Sequence, residues 1–331
     1  EGTVVEYGFG STGTQTAKLS ASIDGDLRTW TVEVEIREYV IYSSDWAQDG
    51  SNYNGFKGTC PVFSPDGKTV YIVTFNKLSA LYAFDLITGV EKWRYKPATP
   101  SGSYNPLTGN PKTGDIYFGT TSAGQFYAVS PEGQLRWTLT EAQSMKSTAP
   151  AVNADGTVVY ICDALGNTFA IDAASGSKLW RFTAPADGCG LLVNGNELVV
   201  GAGKNICFIN TSDGSEIARL TMAQTMTDNS GFAVAADMRT AYVPNKGGYI
   251  SSIDLDSHEI LVDGFSVGGD NMYEPVVAPN GSVFIGSKDS HVYNVNASLT
   301  AVNWSYKHMD AKNAFNYSHP CVDSENRFYI T

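Results

Sequence analysis

Six short stretches of this 331-residue sequence (51–56, 103–105, 144–148, 227–232, 270–274 and 313–319) gather the residue types that recognise a neutral polyol such as a sugar. An aromatic face stacks on C–H groups, and a neighbouring amide or carboxylate supplies paired hydrogen bonds. The candidate ligand-binding residues are Tyr53, Phe56, Tyr104, Asn105, Asp228, Asn229, Asp270, Asn271, Tyr273, Glu274, Asn316, Tyr317 and His319. Asp270 and Glu274 are also the carboxylate pair that could serve a hydrolase or lyase. The competing reading is structural: such residues satisfy backbone groups and fill a narrow space.

Other chemistries find less support. The four histidines, His258, His291, His308 and His319, are isolated, so no metal site is assigned. No Asp-x-Asp-x-Asp-Gly run marks a calcium loop, and no Gly-x-Ser-x-Gly or phosphate-binding loop occurs. The five cysteines (Cys60, Cys162, Cys189, Cys207, Cys321) form no Cys-x-x-Cys pair and read as small thiols within strands. No catalytic residue, metal or cofactor is expected.

The elements that would carry these residues are repeated hairpins. In the run from Phe169 to Phe182, Phe169–Asp172 is a short strand, 173–176 a turn ending in Gly, and Lys178–Phe182 the return strand. Related runs end in Trp93 and Trp137, and weaker ones pass through Ala218, His258 and Trp304. The aspartate can bond its own turn, and the glycine supplies a left-handed residue. Between these hairpins recurs a second pattern, as in 61–67, 150–156 and 275–281, where a strand is closed by a Gly-containing turn and followed by an apolar strand. Its turns fall at 67, 114, 156, 195, 238, 281 and 326, steps of 39 to 47 residues. Four strands at that period, with no helical periodicity, make a propeller blade.

The predicted fold is therefore all-β, a propeller of four-stranded antiparallel blades over residues 38–331, with seven blades and eight as the alternative. Each tryptophan should bury against the next blade, worth on the order of 4 to 6 kcal/mol as an upper bound. The fourth and fifth blades lack it and are expected to have the softest seams. The segment leading into each innermost strand should line one mouth of the central channel, where the candidate residues lie. Residues 39–46 are placed to serve as the outermost strand of the last blade.

Residues 1–37 alternate over 14–23 and 29–36 about a Gly25-Asp26 turn, like the last hairpin of a β-sandwich. A net charge of −12 speaks against nucleic acid or an anionic membrane as the main partner. No apolar run is long enough for a transmembrane helix. The chain starts at Glu1 with no signal segment, as a processed or excised piece would.

The pattern Phe169-Ala-Ile-Asp-x-x-Ser-Gly-x-x-Leu-Trp180 resembles the tryptophan-docking repeat of the pyrroloquinoline-quinone (PQQ)-like, quinoprotein alcohol dehydrogenase-like propellers, over about residues 55–331. Residues 10–23 are similar to the closing half of the polycystic-kidney-disease (PKD), immunoglobulin-like domain. In quinoprotein dehydrogenases a vicinal Cys-Cys disulfide covers the cofactor; no two cysteines are adjacent here, so the resemblance implies the fold without the quinone. It further implies a non-catalytic binding or scaffold module of an exported bacterial protein, periplasmic or at the cell surface, with a lipid anchor at a missing N-terminus as one route. A monomer is expected, with a partner protein or a glycan bound through propeller loops. A carbohydrate-active enzyme working at the channel mouth is the alternative.

Overall fold

The computed structural model describes residues 13–23, 26–36, 60–74, 80–98, 106–120, 124–143, 149–186, 188–228, 230–269, 272–307 and 320–329. The chain divides into two compact units, residues 1–48 and 49–331. In the first, β1 (Gly13–Ile23) and β2 (Asp26–Ile36) pair antiparallel in unbroken register, from Gly13 opposite Ile36 to Ile23 opposite Asp26. The strand alternation and the short turn between them dictate this hairpin.

The second unit is a succession of sheets. Among the described residues, six are four-stranded, over 62–95, 108–139, 151–183, 188–221, 233–266 and 276–307. A seventh is represented by Cys321–Val322 paired with Phe328–Tyr329. Every four-stranded sheet is an antiparallel meander in chain order. Up-and-down strands place the closing turn of the first pair and the docking turn at one end of each sheet. The lead-in segment and the turn between the second and third strands then share the other end. Residues 39–46 lie outside the described residues.

The middle strands are buried along almost their whole length, as in Ile116–Gly119 and Phe126–Val129, because a sheet covers each of their faces. The core accordingly lies between sheets. Tyr71, Val73 and Leu81 pack with Ile116, Phe118 and Tyr127 of the next sheet, and Tyr117, Phe126 and Trp137 pack with Val159, Ile161 and Phe169. Phe284 of the sixth sheet stacks on Phe328 of the seventh, centroids 4.8 Å apart. After burial itself, Glu274 and Cys321 are the groups that act on the Cys60 thiol. The start of the first sheet therefore lies near the sixth and seventh, and the succession returns on itself.

The repeat's signature residues make the seams. Trp93 Nε1 donates to Pro131 O at 2.8 Å, Trp137 Nε1 to Ala173 O at 2.9 Å and Trp180 Nε1 to Thr211 O at 2.8 Å. In each case the acceptor is the first residue of the next sheet's docking turn. The turn's glycine lies against the indole: a Cβ on Gly176, at φ +73°, would stand 2.6 Å from Trp137 Cγ. Asp172 shapes the same turn, its Oδ1 accepting from Ser175 N and Ser175 Oγ, both at 2.7 Å.

The seams that lack tryptophan are not left open. Ala218 occupies the place of Trp180 in the fourth sheet, each residue directly following the same β-bulge. Across it, the turn position held elsewhere by glycine is His258, at φ +53°. Its ring packs on Phe208 with centroids 4.2 Å apart, and its Nε2 lies 2.9 Å from Glu197 Oε2. A large residue has moved from one side of the seam to the other. At the next seam Leu299, φ +52° and 2% exposed, fills the glycine position, and Tyr242 OH donates to Ala297 O at 2.8 Å in place of an indole. The softness expected of these seams has thus been met by compensation across the seam. Ala218→Trp alone should overpack the fourth seam and cost about 1–3 kcal/mol. Combined with His258→Gly it should regain most of that loss, which urea denaturation midpoints of the two variants will show.

Turn carboxylates tie the fold to pH. Asp85 is held down at about 2, first by the backbone hydrogen bond from Thr88 and then by that residue's hydroxyl. At Asp323 desolvation acts upward and is outweighed by the Arg327 side-chain and backbone hydrogen bonds, again leaving a value of about 2. Folded values below the unfolded one of about 3.9 mean that the stabilisation is complete above about pH 4 and is lost as the pH falls toward 2. The urea midpoint should accordingly hold between pH 7 and 5 and drop steeply between 4 and 2.

Candidate functional site

Of the thirteen candidate residues, the structure describes Asp228, Tyr273 and Glu274. Tyr53, Phe56, Tyr104, Asn105, Asn229, Asp270, Asn271, Asn316, Tyr317 and His319 lie outside the described residues. The three described ones sit on lead-in segments, at the sheet ends opposite the docking turns. The meander places them there, and their surroundings decide what each can do.

Asp228 is exposed on the segment leading into the fifth sheet, and its Oδ2 lies 2.8 Å from Lys246 Nζ. Lys246 belongs to the turn between that sheet's second and third strands, and its backbone N donates to Thr225 O at 2.8 Å. Glu274 leads into the sixth sheet and reaches the fifth: a Cβ on Gly231 would stand 3.0 Å from Glu274 Oε1. The lead-ins of the fifth and sixth sheets thus meet at this end.

Tyr273 precedes Glu274 on the same lead-in. Its side chain is buried, 5% exposed, and its backbone N donates to Gly286 O at 3.0 Å. It lies outside any strand, between the Met272–Ser287 bridge and the strand Val276–Val277. Lys246, Asp289 and His291 were missed by the sequence reading. Tyr293 OH donates to Asp289 Oδ2 at 2.8 Å, the His291 backbone N donates to Asp289 Oδ1 at 3.0 Å, and His291 Nδ1 lies 3.2 Å from Asp289 Oδ2. The available signal was the repeat itself: turns between second and third strands share an end with the lead-ins.

Burial pushes Asp289 up, but hydrogen bonds from Ser287, Tyr293 and the His291 backbone outweigh it, leaving the carboxyl below its usual value. Burial and then Asp289 push the Tyr293 phenol up. Burial, Glu274 and Cys321 raise the Cys60 thiol to about 11, so at neutral pH it is a thiol and not a nucleophilic thiolate. Among the described residues no group of three or more His, Cys, Asp and Glu side chains is placed to hold a metal ion.

A pocket of about 420 Å³ lies at the other end of the second and third sheets, lined by residues that include Asn110, Asp115, Arg136, Asp155 and Asp172. Its polar groups are engaged within the protein. Asp115 pairs with Arg136 at 3.2 Å, and Asp155 accepts from Thr157 Oγ1 at 2.6 Å. This is the turn scaffolding that sets the seam.

The comparisons with known proteins agree with this geometry. The family model described as "Outer membrane protein assembly factor BamB" matches residues 122–329, more than half of the chain. The chain belongs to that family. Among solved structures, the crystal structure of BamB from Moraxella catarrhalis matches with a TM-score of 0.63 at 17% identity, covering 82% of this chain and 79% of that one. At that identity the likeness establishes the β-propeller fold. A search among curated proteins finds no match. The matched segment runs from within the second blade to the seventh. The lead-in segments of the first blade fall outside it.

Proposed function

We propose that this chain is a non-catalytic scaffold of the bacterial cell envelope that binds a partner protein on its lead-in face. The observation that carries the reading is its membership in a family described as an outer membrane protein assembly factor. The channel end adds support. Asp228, Lys246, Glu274 and Asp289 give it charge of both signs, as a polar protein interface requires. Among the described residues, every carboxylate with a resolved shift lies below its ordinary value, held there by hydrogen bonds. Acid–base catalysis at neutral pH needs a carboxylate pushed the other way.

On this reading the protein is exported, works as a monomer, and carries at residues 1–37 the closing hairpin of a PKD-like domain ahead of the propeller at 38–331. Reversing two charges tests the proposal. Asp228→Lys with Glu274→Lys should weaken binding to outer-membrane assembly components at least tenfold in titration calorimetry, and Asp228→Lys alone should leave the melting temperature within about 2 °C, because its exposed pair with Lys246 contributes little to stability. Unchanged affinity would sink the assignment to this face.

A further inference from the structure

The seam that closes the ring carries two thiols. Consecutive sheets are joined by the chain, but the first and seventh come from its opposite ends, so chain connectivity does not secure the seam between them. Cys321 begins the inner strand of the seventh sheet, Cys321–Val322, and Cys60 stands two residues before the inner strand of the first, Val62–Phe63. Both are free thiols, Cys60 half-buried and Cys321 exposed.

The repeat fixes where Cys321 points. It pairs with Tyr329 as Val62 pairs with Tyr71 and Thr108 with Tyr117. At that position the side chain reaches the next inner strand. A Cβ on Gly109 would stand 3.0 Å from Val62 Cγ1, and Thr108 Oγ1 donates to the carbonyl of Pro150, the residue before the third inner strand, Ala151–Val152. The residue before the first inner strand is Pro61. Carried to the closing seam, the same geometry aims Cys321 at Pro61, beside Cys60. The two thiols also feel each other: Cys321 is among the groups that push the Cys60 thiol up, after burial and Glu274.

We propose that Cys60 and Cys321 form a disulfide that clasps the first blade to the seventh and locks the ring. The oxidant is another disulfide, of a protein or of a small thiol. Exposed Cys321 meets it first: its thiolate attacks one sulfur, the oxidant's S–S bond breaks and one thiolate departs. Cys60 then loses its proton and attacks Cys321 Sγ, the second thiolate departs, and the new S–S bond joins the blades. Each departing thiolate takes up the proton that the attacking thiol released, so two protein thiols are oxidised and one disulfide is reduced to two thiols. The Cys60 thiol stands at about 11, which makes closure the slower step. The crosslink encloses nearly the whole propeller in one covalent loop, the arrangement that most restricts the unfolded chain. Such a bond persists in an oxidising compartment, where the proposed export puts the protein. The clasp itself belongs to the ring and not to the lead-in face, so it stands or falls apart from partner binding.

The full chain equilibrated with excess oxidised glutathione tests the clasp. It should lose two of its five free thiols and give a crosslink between tryptic fragments 58–68 and 313–327, which carry Cys60 and Cys321. Its melting temperature should rise by about 5 °C or more over that of the reduced chain. Cys60→Ser and Cys321→Ser should each abolish both the crosslink and the rise. Recovery of Cys60 and Cys321 as free thiols or glutathione adducts overturns the proposal. So does a crosslink from either of them to Cys162, Cys189 or Cys207 in its place, or a Cys60–Cys321 crosslink that leaves the melting temperature unchanged.

Discussion

Replacing Trp137 by alanine should destabilise the propeller by about 3–5 kcal/mol, the range for emptying a buried tryptophan site. The indole is 8% exposed and lies with Tyr117 and Phe126, ring centroids 5.8 and 6.0 Å away. Its loss opens a cavity in the cluster joining the second and third sheets and strips Ala173 O of its donor. At roughly 2–4 °C per kcal/mol for a protein of this size, the melting temperature should fall by about 10 °C. The same change at Trp304, 46% exposed, should cost about 1 kcal/mol or less. Calorimetry of the two variants separates a seam residue from a surface one of the same type.

Gly176→Val should be nearly as damaging, for two separable reasons. At φ +73° a β-branched residue is strained, and its Cβ would stand 2.6 and 2.7 Å from Trp137 Cγ and Cδ2. Strain and overlap together amount to about 3 kcal/mol or more. The overlap is a property of the pair. In the double variant Trp137→Ala with Gly176→Val it disappears, and the combined loss should fall short of the sum by about 1–2 kcal/mol. A strictly additive pair would show that glycine and indole do not form one seam.

The contrast between these seams and the channel end explains what could be read from sequence. The Asp172 turn, the left-handed Gly176 and the four-strand period were legible because each is set by residues close in the chain, and the structure places them as the repeat predicts. The exchange of bulk at the fourth seam was not legible. Ala218 and His258 are forty residues apart, and only the stacking of His258 on Phe208 reveals that one compensates for the other. The channel end was half legible. The repeat put Asp228 and Glu274 on lead-in segments, but composition could not separate the exposed Asp228 from the buried Tyr273, because burial there depends on packing between residues far apart in the chain. Lys246 and Asp289 escaped notice because each looked like an ordinary turn residue until the meander set it beside a lead-in.

Photo-crosslinking tests the central claim most directly: the motif residues hold the ring together, and the lead-in face does the binding. A benzoylphenylalanine placed at Asp228 or Glu274, and at Ile87 or Ala174 on the docking-turn face, would be irradiated in the presence of cell-envelope extract, with adducts identified by mass spectrometry. The account predicts adducts to outer-membrane assembly components from positions 228 and 274 and none from 87 and 174. Adducts to those components confined to 87 and 174 would contradict it.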